Sequence, residues 1–258
     1  MIRSLAEIMG WDRTTRPGRR PRLALNMRDT VVYAIGDVHG SYDALLALEQ
    51  RIVADAAPLP GRKVMILLGD YVDRGANPAR VVEHLLSPPP AGFDRIVLAG
   101  NHEAMMLDVL DGQLSLGEWV QMGGDATLRS YGIDYGHMSG VLLPAEQLTL
   151  VNRAIPATHV EFLRGLPVLV DGGQTIFVHA GIRPELPLGE QSEQDLLFIR
   201  SAFFEQAHRL TQWVVHGHTP VELARLEGRR LNLDTGAFRT GRLSAVRIIG
   251  TSGRILST

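Results

Sequence analysis

Five short apolar runs punctuate the chain, VVYAI (31–35), VMILL (64–68), IVLA (96–99), IFV (176–178) and WVV (213–215), and each ends directly in polar residues. Runs apolar at consecutive rather than alternate positions predict strands buried on both faces. Between the first three the period changes. Leu45, Leu48 and Ile52 follow Ser41 at three- and four-residue spacing, which predicts a helix with one face on a sheet. Val81, Val82, Leu85 and Leu86 predict a second, with Asn77 as its cap, Pro78 as its first residue and Pro88-Pro89-Pro90 as its stop. Helices alternating with strands predict a parallel early sheet. Capping-box starts at Thr158-x-x-Glu161 and Ser192-x-x-Asp195 predict later helices, the second running through Leu196, Leu197, Ile199 and Phe203. Gly172-Gly173 predicts a tight hairpin turn, and turns near Glu227-Gly228 and Ser252-Gly253 predict strands and hairpins from about residue 222 onward. The pattern is α/β with an antiparallel C-terminal part.

Composition narrows the chemistry. A chain of 258 residues, 45% hydrophobic, is long enough to bury a sizeable core without disulfides, and its lack of cysteine excludes thiolate metal sites and cysteine nucleophiles. Nothing reads as a linker, so one domain is expected over residues 29–258. Residues 1–30 carry seven arginines against Glu7, Asp12 and Asp29, a net +4 beside −6 for the rest. Broken by Pro17, Gly18 and Pro21, residues 1–28 read as a basic, solvated extension rather than a nucleic-acid-binding arm. No apolar run approaches the roughly 18 residues of a membrane span, and no secretory leader is evident, so a cytoplasmic monomer without a membrane partner is expected.

Candidate ligands cluster where the apolar runs end. Gly36-Asp37-Val38-His39-Gly40 follows the first run, Gly69-Asp70-Tyr71-Val72-Asp73-Arg74-Gly75 the second and Gly100-Asn101-His102-Glu103 the third. His179-Ala180-Gly181 and His216-Gly217-His218-Thr219 follow the last two. In an open α/β sheet ligands gather beyond the carboxyl ends of the strands. Carboxylate, imidazole and amide oxygen together suit divalent manganese, iron, zinc or cobalt, and so many imidazoles argue against magnesium or calcium alone. Two such ions about 3.5–4 Å apart can clamp both the attacking and the leaving oxygen at phosphorus, and Asp70 is central enough to bridge them.

The blocks GDVHG (36–40), GDYVDRG (69–75) and GNHE (100–103), with HAGI (179–182) and HGHT (216–219), resemble the calcineurin-like metallophosphoesterase superfamily and, within it, the phosphoprotein phosphatases of bacterial serine/threonine type. The second histidine of the wider superfamily's GHxH motif is replaced here by Pro220, which favours that narrower group. The resemblance implies two packed, mixed β-sheets flanked by α-helices. It implies that Asp37, His39 and a bridging Asp70 hold one metal, and that Asp70, Asn101, His179 and His218 hold the other. His102 resembles the general acid, with Asp73 orienting it, and Arg74 and Arg200 resemble the groups that grip the substrate phosphate. His216 reads as a support behind His218. Trp119, Gly123, Gly124 and Tyr131 receive no role, and Asp234 reads as a residue that shapes a turn. The reaction implied is hydrolysis of phosphomonoesters through a metal-bridging hydroxide, with two divalent ions, manganese first. Phosphoserine or phosphothreonine in a protein or peptide is the expected substrate, and symmetrical hydrolysis of a dinucleoside tetraphosphate is the alternative.

Overall fold

The computed structural model describes residues 12–14 and 19–258. Its strands are β1 Asp12–Thr14, β2 Arg22–Ala24, β3 Thr30–Ile35, β4 Arg62–Leu67, β5 Phe93–Val97, β6 Leu169–Asp171, β7 Thr175–Val178, β8 Trp213–His216, β9 Arg225–Glu227, β10 Arg230–Asn232, β11 Ser244–Ile249 and β12 Ser252–Ser257. The helices are α1 Tyr42–Ala56, α2 Pro78–Leu86, α3 Asn101–Leu110, α4 Leu116–Trp119, α5 Asp125–Ser130, α6 Tyr135–Val141, α7 Pro144–Ala154, α8 Ala157–Gly165, α9 Glu193–Phe198, α10 Ser201–Glu205 and α11 Ala237–Thr240. A kinked turn, Val120–Gly124, in which Gly123 leaves helical geometry, joins α4 to α5. No helix among the described residues is long and apolar enough to cross a membrane.

Two mixed sheets result, one of five strands in the order β12-β11-β3-β4-β5 and one of seven in the order β1-β2-β6-β7-β8-β10-β9. As expected, β3, β4 and β5 pair in parallel. Side chains alternate across a strand, so each apolar run serves two cores. Val32, Ala34, Val64 and Ile66 face the second sheet, meeting Phe177 and Val215. Tyr33, Ile35, Met65 and Leu67 face outward, against helical residues such as Leu48 and Val81. Burial on both faces is the reason these strands are apolar at every position.

The structure departs from the expected elements in five places, one of them the C-terminal part, where β10 pairs in parallel with β8 and α11 interrupts the strands and hairpins expected there. The basic extension was expected to be solvated, yet Arg22–Ala24 pairs in parallel with β6. Leu23 and Leu25 are buried between the sheets, and Arg20 donates to the Leu163 carbonyl at 2.7 Å and pairs with Glu193 at 3.3 Å. Residues 1–11 and 15–18 lie outside the described residues. The helix expected to open at Thr158 instead starts after Pro156, whose extended backbone separates it from the preceding helix. The helix capped by Ser192 stops at Phe198, because Ile199 is extended and Arg200 lies at φ −134°, ψ −95° before α10. The last hairpin turns at Gly250, with φ +57°, so Ser252 and Gly253 already belong to β12.

Candidate metal centre

The two sheets meet with their strand ends on one side of the molecule, and the predicted ligands lie there. Asp37 and His39 follow β3, Asp70 follows β4 and Asn101 opens α3 beyond β5, all from the five-stranded sheet. His179 follows β7 and His218 follows β8, from the seven-stranded sheet. All six are buried. Two glycines make the approach possible. A β-carbon on Gly217 would collide with the Asp37 carboxylate, and one on Gly100 would collide with that of Asp70. Of the six described non-glycine residues at positive φ, five are His39, Asp70, Asp73, Arg74 and His218. Such backbone costs roughly 1–3 kcal/mol per residue and persists where the surroundings force it.

Asp70 stands between two groups of imidazoles. Its Oδ2 lies 3.3 Å from His39 Nε2 and 3.9 Å from His102 Nε2, while Oδ1 lies 3.4 Å from His179 Nε2. Asn101 Oδ1 lies 2.8 Å from both His179 Nε2 and His218 Nδ1. The arrangement falls into two clusters of a size to hold a cation, His39/Asp70/His102 and Asp70/His179/His218. Tautomers support the same reading. His39 Nδ1 lies 2.9 Å from the Val72 carbonyl and His179 Nδ1 lies 3.1 Å from the Leu68 carbonyl. A carbonyl can only accept, so each Nδ1 carries the proton and each Nε2 presents a lone pair toward Asp70.

The charges also fit dications. Burial pushes Asp37 well above the usual carboxylate range, and the neighbouring Asp234 and Asp70 push it further. Its Oδ2 accepts from the His218 backbone N–H at 2.9 Å, but its buried Oδ1 has no hydrogen-bond partner. Asp70 moves the other way. Burial raises it, but His179, His102 and His39 outweigh burial and hold it well below the usual value. Burial, then the proximity of His179, pushes His218 down to about 3, so this imidazole is neutral, the form that ligates. An orphaned carboxylate oxygen, lone-pair imidazoles and an amide oxygen facing one space match a divalent transition metal.

Around this core lie the other predicted residues. His102 Nδ1 is 2.6 Å from Asp73 Oδ2. Burial pulls His102 down, but Asp70 and Asp73 together lift it above its ordinary value. Arg74 places Nη1 3.1 Å from His39 Nε2 and Nη2 2.9 Å from His102 Nε2. Arg200 meets the second cluster, its Nε donating to His218 Nε2 at 3.1 Å. It stands at the break between two short helices rather than along one. His216 lies outside both clusters, its ring edge-on to Phe203 at 5.1 Å, and burial pushes it down to about 3.

The Calcineurin-like phosphoesterase family model matches residues 30–231. The chain belongs to that family. As a calcineurin-like phosphoesterase it is a metal-dependent hydrolase of phosphate esters, and the family uses a dinuclear metal centre. Among curated proteins it is similar to the asymmetrical bis(5'-nucleosyl)-tetraphosphatase PrpE of Geobacillus thermodenitrificans, 27% identical over 83% of this chain and 88% of that one. Two solved structures share the fold. One, presented as a candidate diadenosine tetraphosphatase, is 19% identical at a TM-score of 0.63, covering 92% of this chain and 97% of its own. The other, a protein serine/threonine phosphatase of Saccharomyces cerevisiae, is 13% identical at 0.54, covering 89% and 79%.

Several further residues of this calcineurin-like phosphoesterase support the site, though the sequence assigns none of them a role in it. Glu103 accepts backbone N–H bonds from Gly100, Asp70, Tyr71 and Val72 at 2.7–3.1 Å, tying the Asp70 loop to the start of α3. Trp119 Nε1 donates to Asp73 Oδ2 at 3.0 Å, and Thr127 Oγ1 donates to Asp73 Oδ1 at 2.6 Å. Gly123, at φ +108° in the kinked turn, accepts from the Arg74 N–H at 3.0 Å through its carbonyl. Asp234 does shape its turn, through Gly236 N–H at 3.0 Å, but its Oδ2 is buried without a partner and its charge is felt by Asp37. One clue was the density of glycine and aromatic residues at 117–132; its meaning depends on a contact across 46 residues.

Proposed function

We propose that this phosphoesterase hydrolyses dinucleoside polyphosphates, with Arg74 and Arg200 gripping phosphoryl oxygens and His102 serving the leaving group. The observation that carries this is the likeness, along most of both chains, to relatives named asymmetrical bis(5'-nucleosyl)-tetraphosphatases. Asp37, His39 and Asp70 would hold one cation, and Asp70, Asn101, His179 and His218 the other. Two bound divalent ions supply an acidified water as nucleophile and neutralise charge at phosphorus. The guanidinium of Arg74 is a planar fork that matches two phosphoryl oxygens, and its contacts with His39 and His102 place it beside the His39/Asp70/His102 cluster. Arg200 lies at His218, a residue of the second cluster, so an arginine stands beside each cluster. Asp73 holds His102 by Nδ1, and Nε2, 2.9 Å from Arg74 Nη2, is the nitrogen that would pass a proton to the departing oxygen as the P–O bond breaks. Water adds to phosphorus and the departing phosphate carries the proton away, so the reaction balances.

A second reading is favoured by one feature of the chain. The complete VDRG (72–75) and HGHT (216–219) blocks match phosphoprotein phosphatases, for which phosphoserine or phosphothreonine is the substrate. The test is turnover, with manganese supplied, of diadenosine tetraphosphate and a phosphothreonine peptide side by side. Iron, zinc and cobalt suit the same donors and are tried in parallel. A higher kcat/KM on the dinucleotide, with ATP and AMP as products, is expected; two ADP would mean symmetrical cleavage. A higher value on the peptide would replace the proposal with the second reading.

A further inference from the structure

One exposed aromatic side chain stands at the mouth of the site. Phe238 is 38% exposed and lies on α11, a single turn set between Gly236 at φ +64° and Gly241 at φ +70°. The Arg74 guanidinium carbon sits 5.4 Å from the centre of its ring, and the His39 ring meets it edge-to-face at 5.5 Å. The turn that carries it is fastened on every side. Thr235 Oγ1 donates to the Arg242 carbonyl at 2.8 Å, Thr240 Oγ1 donates to the Thr235 carbonyl at 2.9 Å, and Asp234 accepts from Gly236 N–H at 3.0 Å. Asp234 and Thr235 are themselves buried. Phe238 is therefore a partly exposed ring on a fixed turn, next to the group that would grip a phosphate. A lone exposed aromatic is ordinary on a protein surface. One locked beside a phosphate clamp is placed to take whatever planar group the phosphate carries.

We propose that Phe238 is the platform on which a nucleobase stacks when the phosphate attached to its sugar is held at Arg74. The occupant rests on the dinucleoside reading above; the geometry of the platform does not. A base offers a π-face of the kind that stacks on aromatic side chains, and a neutral planar ring is tolerated beside a guanidinium that is already partly occupied with phosphate. Phe238 would thus set specificity, favouring phosphates that carry a base over those that carry none, and would not take part in bond breaking.

Equilibrium dialysis of the manganese-loaded protein against AMP and against ribose 5-phosphate, with intact ligand verified by chromatography, isolates the base. AMP is expected to bind about fivefold or more tightly than ribose 5-phosphate, the low end of what one stacked base contributes. Phe238→Leu should bring AMP down to the affinity of ribose 5-phosphate and leave the latter unchanged, and Phe238→Trp should restore the preference. Equal affinities in the native protein, or a preference for AMP that survives Phe238→Leu, overturns the platform. A fall in ribose 5-phosphate binding by the same factor in Phe238→Leu also overturns it, because the ring would then act through the phosphate site. Binding needs no turnover, so the two readings fail separately. Loss of the dinucleotide reaction with the AMP preference intact removes the proposed substrate and keeps the platform.

Discussion

Asp73 is fully buried, and its two carboxylate oxygens are engaged by His102, Trp119 and Thr127. A carboxylate held on three sides cannot swing away from the imidazole, which is what an orienting group requires. Replacing it tests the acid role of His102 directly. Asp73→Asn should slow hydrolysis of a phosphothreonine ester about 10²–10⁴-fold, because an alkoxide needs a proton to depart. The same variant should slow diadenosine tetraphosphate far less, since a phosphate leaves readily without one, and its metal content should match the native protein. Kinetics and metal analysis on the one variant check both, and loss of metal alongside rate would make Asp73 a structural support. His102 and Asp73 are legible in the sequence because their motifs adjoin metal-type residues. Trp119 and Thr127 are not, because they meet Asp73 across 46 and 54 residues and no local spacing reports such a contact.

At the scale of the element, the strand-end loops decide what the site can hold. Gly217 lets the His218 loop lie against the Asp37 carboxylate, where no β-carbon fits. Gly217→Ala should therefore displace Asp37 and lower metal content by about one ion per chain, with the clash itself costing about 1–3 kcal/mol in stability. Metal analysis and urea unfolding read the two effects. The start of α9 makes a prediction about pH. Ser192 Oγ accepts from the Asp195 N–H at 3.0 Å, and the Asp195 carboxylate accepts from Ser192 Oγ at 2.6 Å and Arg183 Nε at 2.9 Å. Burial raises Asp195, but these two donors outweigh burial and hold it below its ordinary value. A carboxyl group whose folded-state pKa is depressed stabilises the fold above its unfolded value of 3.8 and loses that contribution as pH falls through the lower, folded value. Asp195→Asn should thus lower the unfolding free energy read from urea titration at pH 7, by under about 1 kcal/mol given the exposed arginine, and the gap from native protein should narrow as pH falls below 3.8 and close once it passes the lower, folded value. The cap itself is legible as Ser192-x-x-Asp195. The break after Phe198 is not, since Ile199 and Arg200 continue an apolar pattern that suits a helix, and the tertiary need to bring Arg200 to His218 overrides it.

On the scale of the whole molecule, two sheets share an apolar layer and bring their strand ends to one edge. The parallel trio β3-β4-β5 is readable from apolar runs alternating with helical patterns. The seven-stranded sheet is not, because its order joins segments far apart in the chain, such as β2 with β6 and β7 with β8. The same blindness hides β2, where Leu23 and Leu25 supply too few apolar positions to stand out among arginines. The candidate ligands were nonetheless legible as a set, because each sits at the end of a run and the runs locate the strands whatever their order. The account stands on Asp70 joining two cation sites. Metal content per chain, measured after manganese loading and gel filtration in native protein, Asn101→Ala and Asp70→Ala together with hydrolysis rates, tests that claim most directly. About two ions are expected in the native chain, about one in Asn101→Ala and almost none in Asp70→Ala, with hydrolysis falling in step. Full loading in Asp70→Ala, or undiminished hydrolysis in a chain that holds no metal, would contradict it.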